Sequence, residues 1–200
     1  MRCCRPVDVK IGVLALQGDV SEHIEAFAAV LRDRKKSGSV IGVRSPADLA
    51  GCSALAIPGG ESTTISRLID KNGLHEPIRS FPGGIFATCA GMVLLATCVE
   101  DSRVHTLNLL DISVDRNAFG RQRESFEADI TVDELAGGPF HAIFIRAPVV
   151  TATGNGVQVL ASVDEGIVAV EKGRYMALAF HPELGGDLRL HERFLEHLGL

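Results

Sequence analysis

The fold and the chemistry of this chain are both indicated by one stretch of sequence, Ile85-Phe86-Ala87-Thr88-Cys89-Ala90-Gly91-Met92-Val93-Leu94-Leu95. An apolar run stops at a cysteine, passes through small residues and becomes apolar again. This pattern is typical of a strand, a tight turn and a helix, with a nucleophile at the apex of the turn. Such a turn needs small residues two places before and after the nucleophile, where Ala87 and Gly91 stand. The following helix directs its positive end at the sulfur, which favours thiolate. A lone cysteine in an apolar stretch is, however, more often an inert small hydrophobe.

A second segment, far along the chain, supplies a proton carrier. Residues 175–180 have the composition of a buried strand and lead into His181-Pro182-Glu183. Side chains two apart in an extended segment face the same side, so Glu183 is predicted to orient His181 while His181 faces Cys89. Functional groups gather at the carboxyl ends of strands in parallel α/β sheets. The pattern therefore predicts a nucleophile, a base and an orienting carboxylate in Cys89, His181 and Glu183. A histidine that only satisfies a strand end is the alternative for His181.

The remaining pattern predicts an α/β fold of three layers: a mostly parallel central sheet, helices on both of its faces, and an added antiparallel portion. Strands are expected at 9–16, 40–43, 54–57 and 85–88, with helices at 21–31, around 65–69 and from Cys89 to Cys98. Short strand-like segments follow at 112–114, 126–132, 142–145, 157–161, 167–170 and 176–180. The chain closes in an amphipathic helix over 187–198, with Asp187 as its cap. No linker or internal repeat is visible, which predicts one domain over 1–200 with residues 1–8 as a flexible extension.

Composition limits the class of protein. The chain has 200 residues, 46% of them hydrophobic, and a net charge of −5. This charge argues against a nucleic-acid partner, which would need clustered positive charge. No apolar run reaches membrane-spanning length, and the N-terminus lacks the apolar core of a secretory signal. Five cysteines without paired spacing argue against a disulfide framework and favour a cytoplasmic location. We expect neither a metal ion nor a cofactor.

A glycine pair follows the strand at 54–57, in Pro58-Gly59-Gly60-Glu61-Ser62. Two glycines let backbone N–H groups turn toward a ligand. Next to a nucleophile turn, they predict an oxyanion hole made by the N–H groups of Gly60 and Ala90. The plainer alternative is a turn and a helix cap supplied by Ser62 or Thr63. A phosphate-binding loop is disfavoured because the Gly-Lys-Ser/Thr ending is missing and an acidic residue stands where positive charge would help.

Two arginines, Arg116 and Arg146, stand at the ends of predicted strands. Either guanidinium could hold a carboxylate as a two-pronged donor. By spacing alone, a surface ion pair is the better prediction for both.

Several of these segments together resemble a known family. They are Leu14-Ala15-Leu16-Gln17-Gly18, Pro58-Gly59-Gly60-Glu61-Ser62-Thr63-Thr64, Thr88-Cys89-Ala90-Gly91, Arg116-Asn117-Ala118-Phe119-Gly120-Arg121-Gln122, Phe144-Ile145-Arg146-Ala147-Pro148 and Phe180-His181-Pro182-Glu183-Leu184. The resemblance is to the glutaminase subunits of pyridoxal 5′-phosphate synthase, which are class I, triad-type glutamine amidotransferases. It extends from Lys10 to the C-terminus. The cysteine turn and the His-Pro-Glu segment are shared across the wider superfamily, whereas the second and fourth segments are specific to this subunit.

The resemblance implies a flavodoxin-like fold of the class I amidotransferase type and a defined activity. The chain would hydrolyse L-glutamine to glutamate and pass ammonia to a barrel-fold lyase subunit, which builds the vitamin from a pentose phosphate and a triose phosphate. It also implies that Cys89, His181 and Glu183 are catalytic, and that Gln17 lies at the synthase interface. Glutamine would be contacted by Gly59, Gly60, Glu61, Ser62, Arg116, Ile145 and Arg146. The chain departs from the family at Ala87, where the family usually has glycine.

Two other functions fit parts of the pattern. A redox-sensing or small-aldehyde-processing protein with the same cysteine turn would use Cys89 without needing Glu183. A non-catalytic regulator would keep the glutamine pocket without the reaction.

Overall fold

The computed structural model describes residues 9–116, 118 and 125–200. The predicted extension at 1–8, and residues 117 and 119–122 of the subunit-specific segment, lie outside these residues. The strands are β1 (Val9–Leu14), β2 (Gly38–Val43), β3 (Ala54–Ile57), β4 (Gly84–Thr88), β5 (Ala96–Val99), β6 (Leu110–Asp115), β7 (Ser125–Ile130), β8 (Phe140–Ile145), β9 (Val149–Thr153), β10 (Gln158–Val163), β11 (Gly166–Lys172) and β12 (Tyr175–Leu178). The helices are α1 (Val20–Asp33), α2 (Pro46–Leu49), α3 (Ser62–Lys71), α4 (His75–Arg79), α5 (Ala90–Leu95) and α6 (Arg189–His197).

The parallel part of the main sheet has the strand order β2-β1-β3-β4-β12. Each of these strands pairs in parallel with its neighbours, and the order is that of a doubly wound, flavodoxin-like sheet. β3 and β4 are buried along their whole length, as strands covered on both faces must be. α1 packs against α6, and α3 packs against α5. The predicted layered α/β architecture is therefore confirmed.

The sheet continues beyond β12 as β11-β9-β6-β5, with β10 also paired to β11. β11 runs antiparallel to β12, β9 and β10, and β9 runs antiparallel to β6. β7 and β8 form a separate two-stranded antiparallel sheet. The added antiparallel portion is thus confirmed, but it is divided between two sheets, and its strand β9 was not predicted.

The helix predicted from Cys89 to Cys98 is wrong at its C-terminal end. α5 ends at Leu95, and the next four residues form β5, which pairs in parallel with β6. Thr97 and Val99 are β-branched and favour a strand. The continuous apolar pattern hid this change of structure.

The closing helix begins slightly later than predicted, at Arg189. Leu188 takes the cap position, but Oδ1 of Asp187 accepts a hydrogen bond from the backbone N–H of Arg189 at 3.1 Å. Asp187 therefore still satisfies an N–H of the first turn. Within the described ranges, no helix combines the length and the apolar composition needed to cross a bilayer.

The order of the strands determines where a site can form. β1, β3, β4 and β12 are neighbours and run in parallel, so their carboxyl ends share one edge of the sheet. The segments that follow them contain Gln17, the Gly59-Gly60 pair, Cys89 and His181. Ligands bind at this edge in open α/β sheets.

Candidate active site

Cys89 occupies a strained turn between β4 and α5. Its φ of 47° and ψ of −106° lie outside the regions that non-glycine residues ordinarily adopt. A Cβ atom at Gly91 would lie 2.2 Å from the carbonyl oxygen of Ile57, so only glycine fits there. The same added Cβ would lie 3.2 Å from the methyl carbon of Ala87, so the missing side chain at Gly91 leaves room for that methyl group. Alanine is therefore accommodated where the family resemblance leads one to expect glycine.

The turn is held by the neighbouring strand and opens onto a cleft. The N–H of Cys89 donates to the carbonyl oxygen of Leu178 at 2.8 Å, which ties the nucleophile position to the end of β12. Its sulfur lies 3.7 Å from the carbonyl oxygen of Ile145. Cys89 is only 7% exposed, yet it lines a cleft of about 350 Å³ together with His181. The sulfur is thus mostly shielded from water but accessible from the cleft.

Glu183 holds the ring of His181. Oε1 of Glu183 lies 2.8 Å from Nδ1 of His181, and the Glu183 side chain has no exposed surface. The two residues meet through a turn, not through the extended alternation that the sequence suggested: the N–H of Leu184 donates to the carbonyl oxygen of His181 at 3.3 Å. Because a carboxylate only accepts, Nδ1 carries a proton and Nε2 is the nitrogen left for the thiol.

Asp19 supplies a second carboxylate to the same imidazole. Its Oδ2 lies 3.3 Å from Nδ1 of His181, and its side chain is 37% exposed. Burial alone would lower the pKa of His181, but interactions with Asp19, Cys89 and Glu183 raise it to about 12. The hydrogen bond with His181 in turn lowers the pKa of Asp19. The imidazole is therefore protonated at neutral pH and can stabilise a neighbouring thiolate.

The segment 58–61, called the glycine loop below, packs closely against His181 and Gln17. A Cβ at Gly59 would lie 2.4 Å from Cε1 of His181, and one at Gly60 would lie 2.5 Å from Oε1 of Gln17. Gly60 also has a φ of 141°, which side-chain-bearing residues rarely adopt. Oε1 of Gln17 accepts a hydrogen bond from the N–H of Glu61 at 2.9 Å. Gln17, which the resemblance places at an interface, here fixes the peptide that follows Gly60.

Gly60 and Ala90 are the residues predicted to form an oxyanion hole. Both residues line the cleft that contains Cys89. Ala90 is the first residue of α5, so its N–H has no partner within the helix. Backbone donors that converge on one point beside a nucleophile stabilise a tetrahedral oxyanion, and an oxyanion hole at these two residues stays a prediction.

Glu61, not Ser62 or Thr63, is the N-cap of α3. Its Oε2 accepts hydrogen bonds from the N–H of Thr64 at 3.0 Å and from the hydroxyl of Thr63. Burial alone would raise the pKa of Glu61, but these hydrogen bonds lower it to about 2. The Glu61 carboxylate is therefore ionised at neutral pH and places a negative charge at the wall of the cleft.

Arg116 and Arg146 both line the cleft, but their surroundings differ. The guanidinium of Arg116 forms ion pairs with Glu61, at 2.9 Å, and with Asp101. The ion-pair alternative therefore describes Arg116 in part, although the pair lies at the cleft. Arg146 has a φ of 44°, and it makes no ion pair with any residue in the described ranges.

The predicted site residues converge. The cleft is lined by Gly60, Glu61, Ser62, Cys89, Ala90, Arg116, Ile145, Arg146 and His181. Gly59 and Glu183 lie behind His181, where the backbone of Gly59 and the carboxylate of Glu183 contact its ring.

Asp19 also lines the cleft and was missed by the sequence analysis. The available signal was its position just after the first strand, at the same sheet edge as the other site residues.

Two groups of residues in the described ranges have the donors for a metal ion. The first, Asp19, His181 and Glu183, brings its ligand atoms within 4.8 Å of one another. The protonated Nδ1 of His181 has no lone pair to offer, so this group favours a proton over a metal. In the second group, Asp70, His75 and His105, the two rings are stacked at 4.0 Å with planes 14° apart. A shared ion would lie out of at least one ring plane, which imidazole coordination disfavours.

Comparison with known proteins agrees with this geometry. The model of the SNO glutamine amidotransferase family matches residues 13–199. The chain belongs to the SNO glutamine amidotransferase family. A relative from Methanoregula boonei, named pyridoxal 5′-phosphate synthase subunit PdxT, is 74% identical over 96% of this chain and 100% of its own length. A protein of the same name from Methanosphaerula palustris is 65% identical over 97% of this chain and 100% of its own length.

Solved structures share the fold of this family member. A crystal structure described as a glutamine amidotransferase has a TM-score of 0.84 and 44% identity, and the match covers 95% of this chain and 99% of that one. The glutaminase domain of Trypanosoma brucei CTPS, solved with acivicin bound, has a TM-score of 0.60 and 14% identity over 96% of this chain and 94% of that one. At that identity the likeness concerns the fold alone.

Proposed function

We propose that this chain hydrolyses L-glutamine to L-glutamate and ammonia through a thioester on Cys89, and supplies the ammonia to pyridoxal 5′-phosphate synthesis. One observation carries the catalytic part: a cysteine in a strained turn lines a cleft with His181, whose Nδ1 is held 2.8 Å from a fully buried carboxylate. Family membership and the names of the relatives support the choice of glutamine and of the pathway.

The first half of the reaction forms the thioester. The thiolate of Cys89 attacks the side-chain amide carbon of glutamine, and the carbonyl becomes an oxyanion that accepts hydrogen bonds from the N–H groups of Gly60 and Ala90. The C–N bond then breaks as the proton on His181 passes to the departing nitrogen, which leaves as ammonia. Glu183 stabilises the imidazolium that is present before this proton transfer.

The second half releases glutamate. His181, now neutral at Nε2, removes a proton from water, and the resulting hydroxide attacks the thioester carbon. Collapse of the second tetrahedral species breaks the C–S bond and restores the thiolate beside the imidazolium. The strained turn keeps the sulfur in place throughout the reaction. Its backbone strain of about 1–3 kcal/mol is offset by the other interactions of the folded protein.

Charges at the wall of the cleft suit the amino-acid end of glutamine. Arg116 is already engaged by Glu61 and Asp101. We therefore assign the α-carboxylate of glutamine mainly to Arg146 and its α-ammonium group to Glu61, with Arg116 fixing the position of Glu61. Ser62 and Ile145, which line the cleft, complete the predicted contacts, whereas Gly59 contributes by packing against the ring of His181.

The partner and the location are parts of the same proposal. The relatives are named as subunits of pyridoxal 5′-phosphate synthase, which supports a synthase partner for this chain. We infer that this partner is a barrel-fold lyase subunit and that it contacts this chain near Gln17. A cytoplasmic location agrees with the free cysteines Cys52, Cys89 and Cys98, which a reducing compartment keeps as thiols.

Release of glutamate from glutamine, measured with and without the cognate lyase subunit, tests the function. We expect turnover that rises when the lyase subunit is added, since it contacts the segment that fixes the glycine loop. Cys89→Ala should reduce turnover to background. Cys98→Ala, which removes an exposed thiol, is the matched control and should retain activity. Equal turnover by the Cys89→Ala and wild-type proteins would overturn the proposal.

A further inference from the structure

A fully buried histidine, His23, lies behind the proposed triad. It belongs to the first turns of α1 and has no exposed surface. Its Nε2 lies 3.0 Å from the hydroxyl oxygen of Thr88 and 3.4 Å from Oε1 of Glu183. Thr88 is also fully buried and directly precedes Cys89. The ring of His23 therefore joins the strand that carries the nucleophile to the carboxylate that orients the base.

The tautomer of His23 follows from these neighbours. Desolvation by burial lowers the pKa of His23, so its ring is neutral and carries one proton. Glu183 can only accept, which places that proton on Nε2. Nε2 forms a hydrogen bond with the Thr88 hydroxyl at 3.0 Å and is in electrostatic contact with Oε1 of Glu183 at 3.4 Å. Nδ1 then keeps its lone pair and has no hydrogen-bond partner among the described residues. Such an orphaned atom is costly, and the donor function of Nε2 gives a reason for the residue to be histidine.

Glu183 has few polar neighbours, and His23 is one of them. Its carboxylate is fully buried, and its Oε2 has no hydrogen-bond partner within the described part of the chain. Oε1 alone meets both Nδ1 of His181 and Nε2 of His23. A buried carboxylate with so few donors depends strongly on each of them.

Packing fixes the ring of His23 in this orientation. The ring of Phe86, on β4, meets it edge-on at 6.2 Å with planes 78° apart. The ring of His191, on α6, lies 6.2 Å away on another side. The charged or titratable groups that influence the pKa of His23 are Glu183, His181, Asp19 and Glu22. His191, in the same cluster, is neutral because burial lowers its pKa to about 3.

We propose that His23 is a positioning residue of the glutaminase reaction. It keeps Glu183, and through Glu183 the ring of His181, in place beside the cysteine turn. This proposal rests on the proposed function. It predicts that His23→Phe, which removes the ring N–H and keeps a ring, lowers kcat about 10- to 100-fold with little change in KM, as expected when a polar contact to a buried charge is lost. His23→Gln, whose amide nitrogen can reach the position of Nε2, should recover part of that loss.

His191→Phe is the matched control. His191 is equally buried in the same aromatic cluster, but neither of its ring nitrogens has a hydrogen-bond partner among the described residues. We expect its kcat to stay within about twofold of wild type. If His23→Phe does not fold, His23→Asn replaces it, because its amide is too short to reach Glu183 and the same loss is expected.

Alkylation of Cys89 by iodoacetamide across pH separates this proposal from the glutaminase proposal, since it needs no glutamine. Displacement of Glu183 should weaken the imidazolium that supports the thiolate, so the acidic limb of the alkylation rate should move to higher pH in His23→Phe and not in His191→Phe. The positioning role is overturned if the folded His23 variant matches His191→Phe in both kcat and alkylation profile. If His23→Phe shows this shift relative to wild type, but the wild-type protein does not hydrolyse glutamine, only the glutaminase proposal is contradicted.

Discussion

Nδ1 of His181 lies 3.3 Å from Oδ2 of Asp19, although the same nitrogen is held at 2.8 Å by Glu183. The two carboxylates are not equivalent. The Glu183 side chain is fully buried, whereas that of Asp19 is 37% exposed at the cleft, so solvent weakens the interaction of Asp19. The geometry therefore assigns the main orienting role to Glu183 and a supporting role to Asp19.

Substitution of each carboxylate by its amide should separate these roles. We expect Glu183→Gln to lower kcat by at least about 100-fold, because an amide can present its N–H₂ to Nδ1 and stabilise the wrong tautomer. Asp19→Asn should lower kcat by less than about tenfold, because its interaction is partly screened by solvent. Initial rates of glutamate release measure both. Full activity in Glu183→Gln would contradict the triad and favour a protein that uses Cys89 without an orienting carboxylate.

Gly60→Ala should impair catalysis through the loop that it belongs to. A Cβ at this position would lie 2.5 Å from Oε1 of Gln17, which holds the N–H of Glu61. Displacement of the loop would misplace an oxyanion donor, so we expect a fall in kcat of about 10²- to 10³-fold.

Gly186→Ala is the control for backbone strain, since Gly186 has a φ of 71° and no atoms near an added Cβ. It should cost about 1–2 kcal/mol of stability with little effect on kcat. Urea denaturation and glutaminase rates should be measured for both variants. Equal kcat in the two would mean that the position of the Gly60 peptide does not matter.

The raised pKa of His181 predicts a dependence of stability on pH. Its pKa rises from 6.5 to about 12 on folding, so the folded state binds the proton more tightly. The resulting stabilisation is fully present below pH 6.5 and is lost as pH rises toward about 12. We expect the free energy of unfolding of wild type to exceed that of His181→Gln at pH 6, and this difference to shrink progressively up to pH 10. A difference that grows with pH would contradict the assignment of an imidazolium.

Arg146 and Arg116 should differ in their kinetic effects. Arg146 has no ion pair among the described residues and is assigned to the substrate carboxylate, so Arg146→Ala should raise KM for glutamine about tenfold or more. Arg116→Ala would remove the ion pairs of Arg116 with Glu61 and Asp101, and should lower the unfolding free energy as well. Steady-state kinetics with chemical denaturation distinguishes the two. An unchanged KM in Arg146→Ala would remove that residue from substrate binding.

The strand-turn-helix around Cys89 and the strand before His181 could be predicted because their determinants are local. Apolar runs end at a residue with small neighbours or at a polar motif, and the parallel sheet then brings the strand ends together. Other features depend on distant partners. β9 contains β-branched residues directly after Pro148, but it is fixed by pairing with β6 and β11, which lie on both sides of it in sequence.

The contributions of Asp19 and His23 could not be derived from periodicity. The two residues stand four apart at the start of α1, so they occupy one side of the helix. That spacing is compatible with a solvated surface. Only packing of α1 over the end of β4 reveals that His23 is buried and that Asp19 reaches the cleft. The single-domain interpretation stays a prediction.

Mass spectrometry of the Cys89 peptide, after the protein is mixed with glutamine and the lyase subunit and quenched in acid, tests the central claim most directly. We predict a glutamyl thioester on Cys89 that accumulates in Glu183→Gln and is absent from Cys89→Ala. Rapid release of glutamate with no acyl group on Cys89, or an acyl group on another residue, would contradict the account.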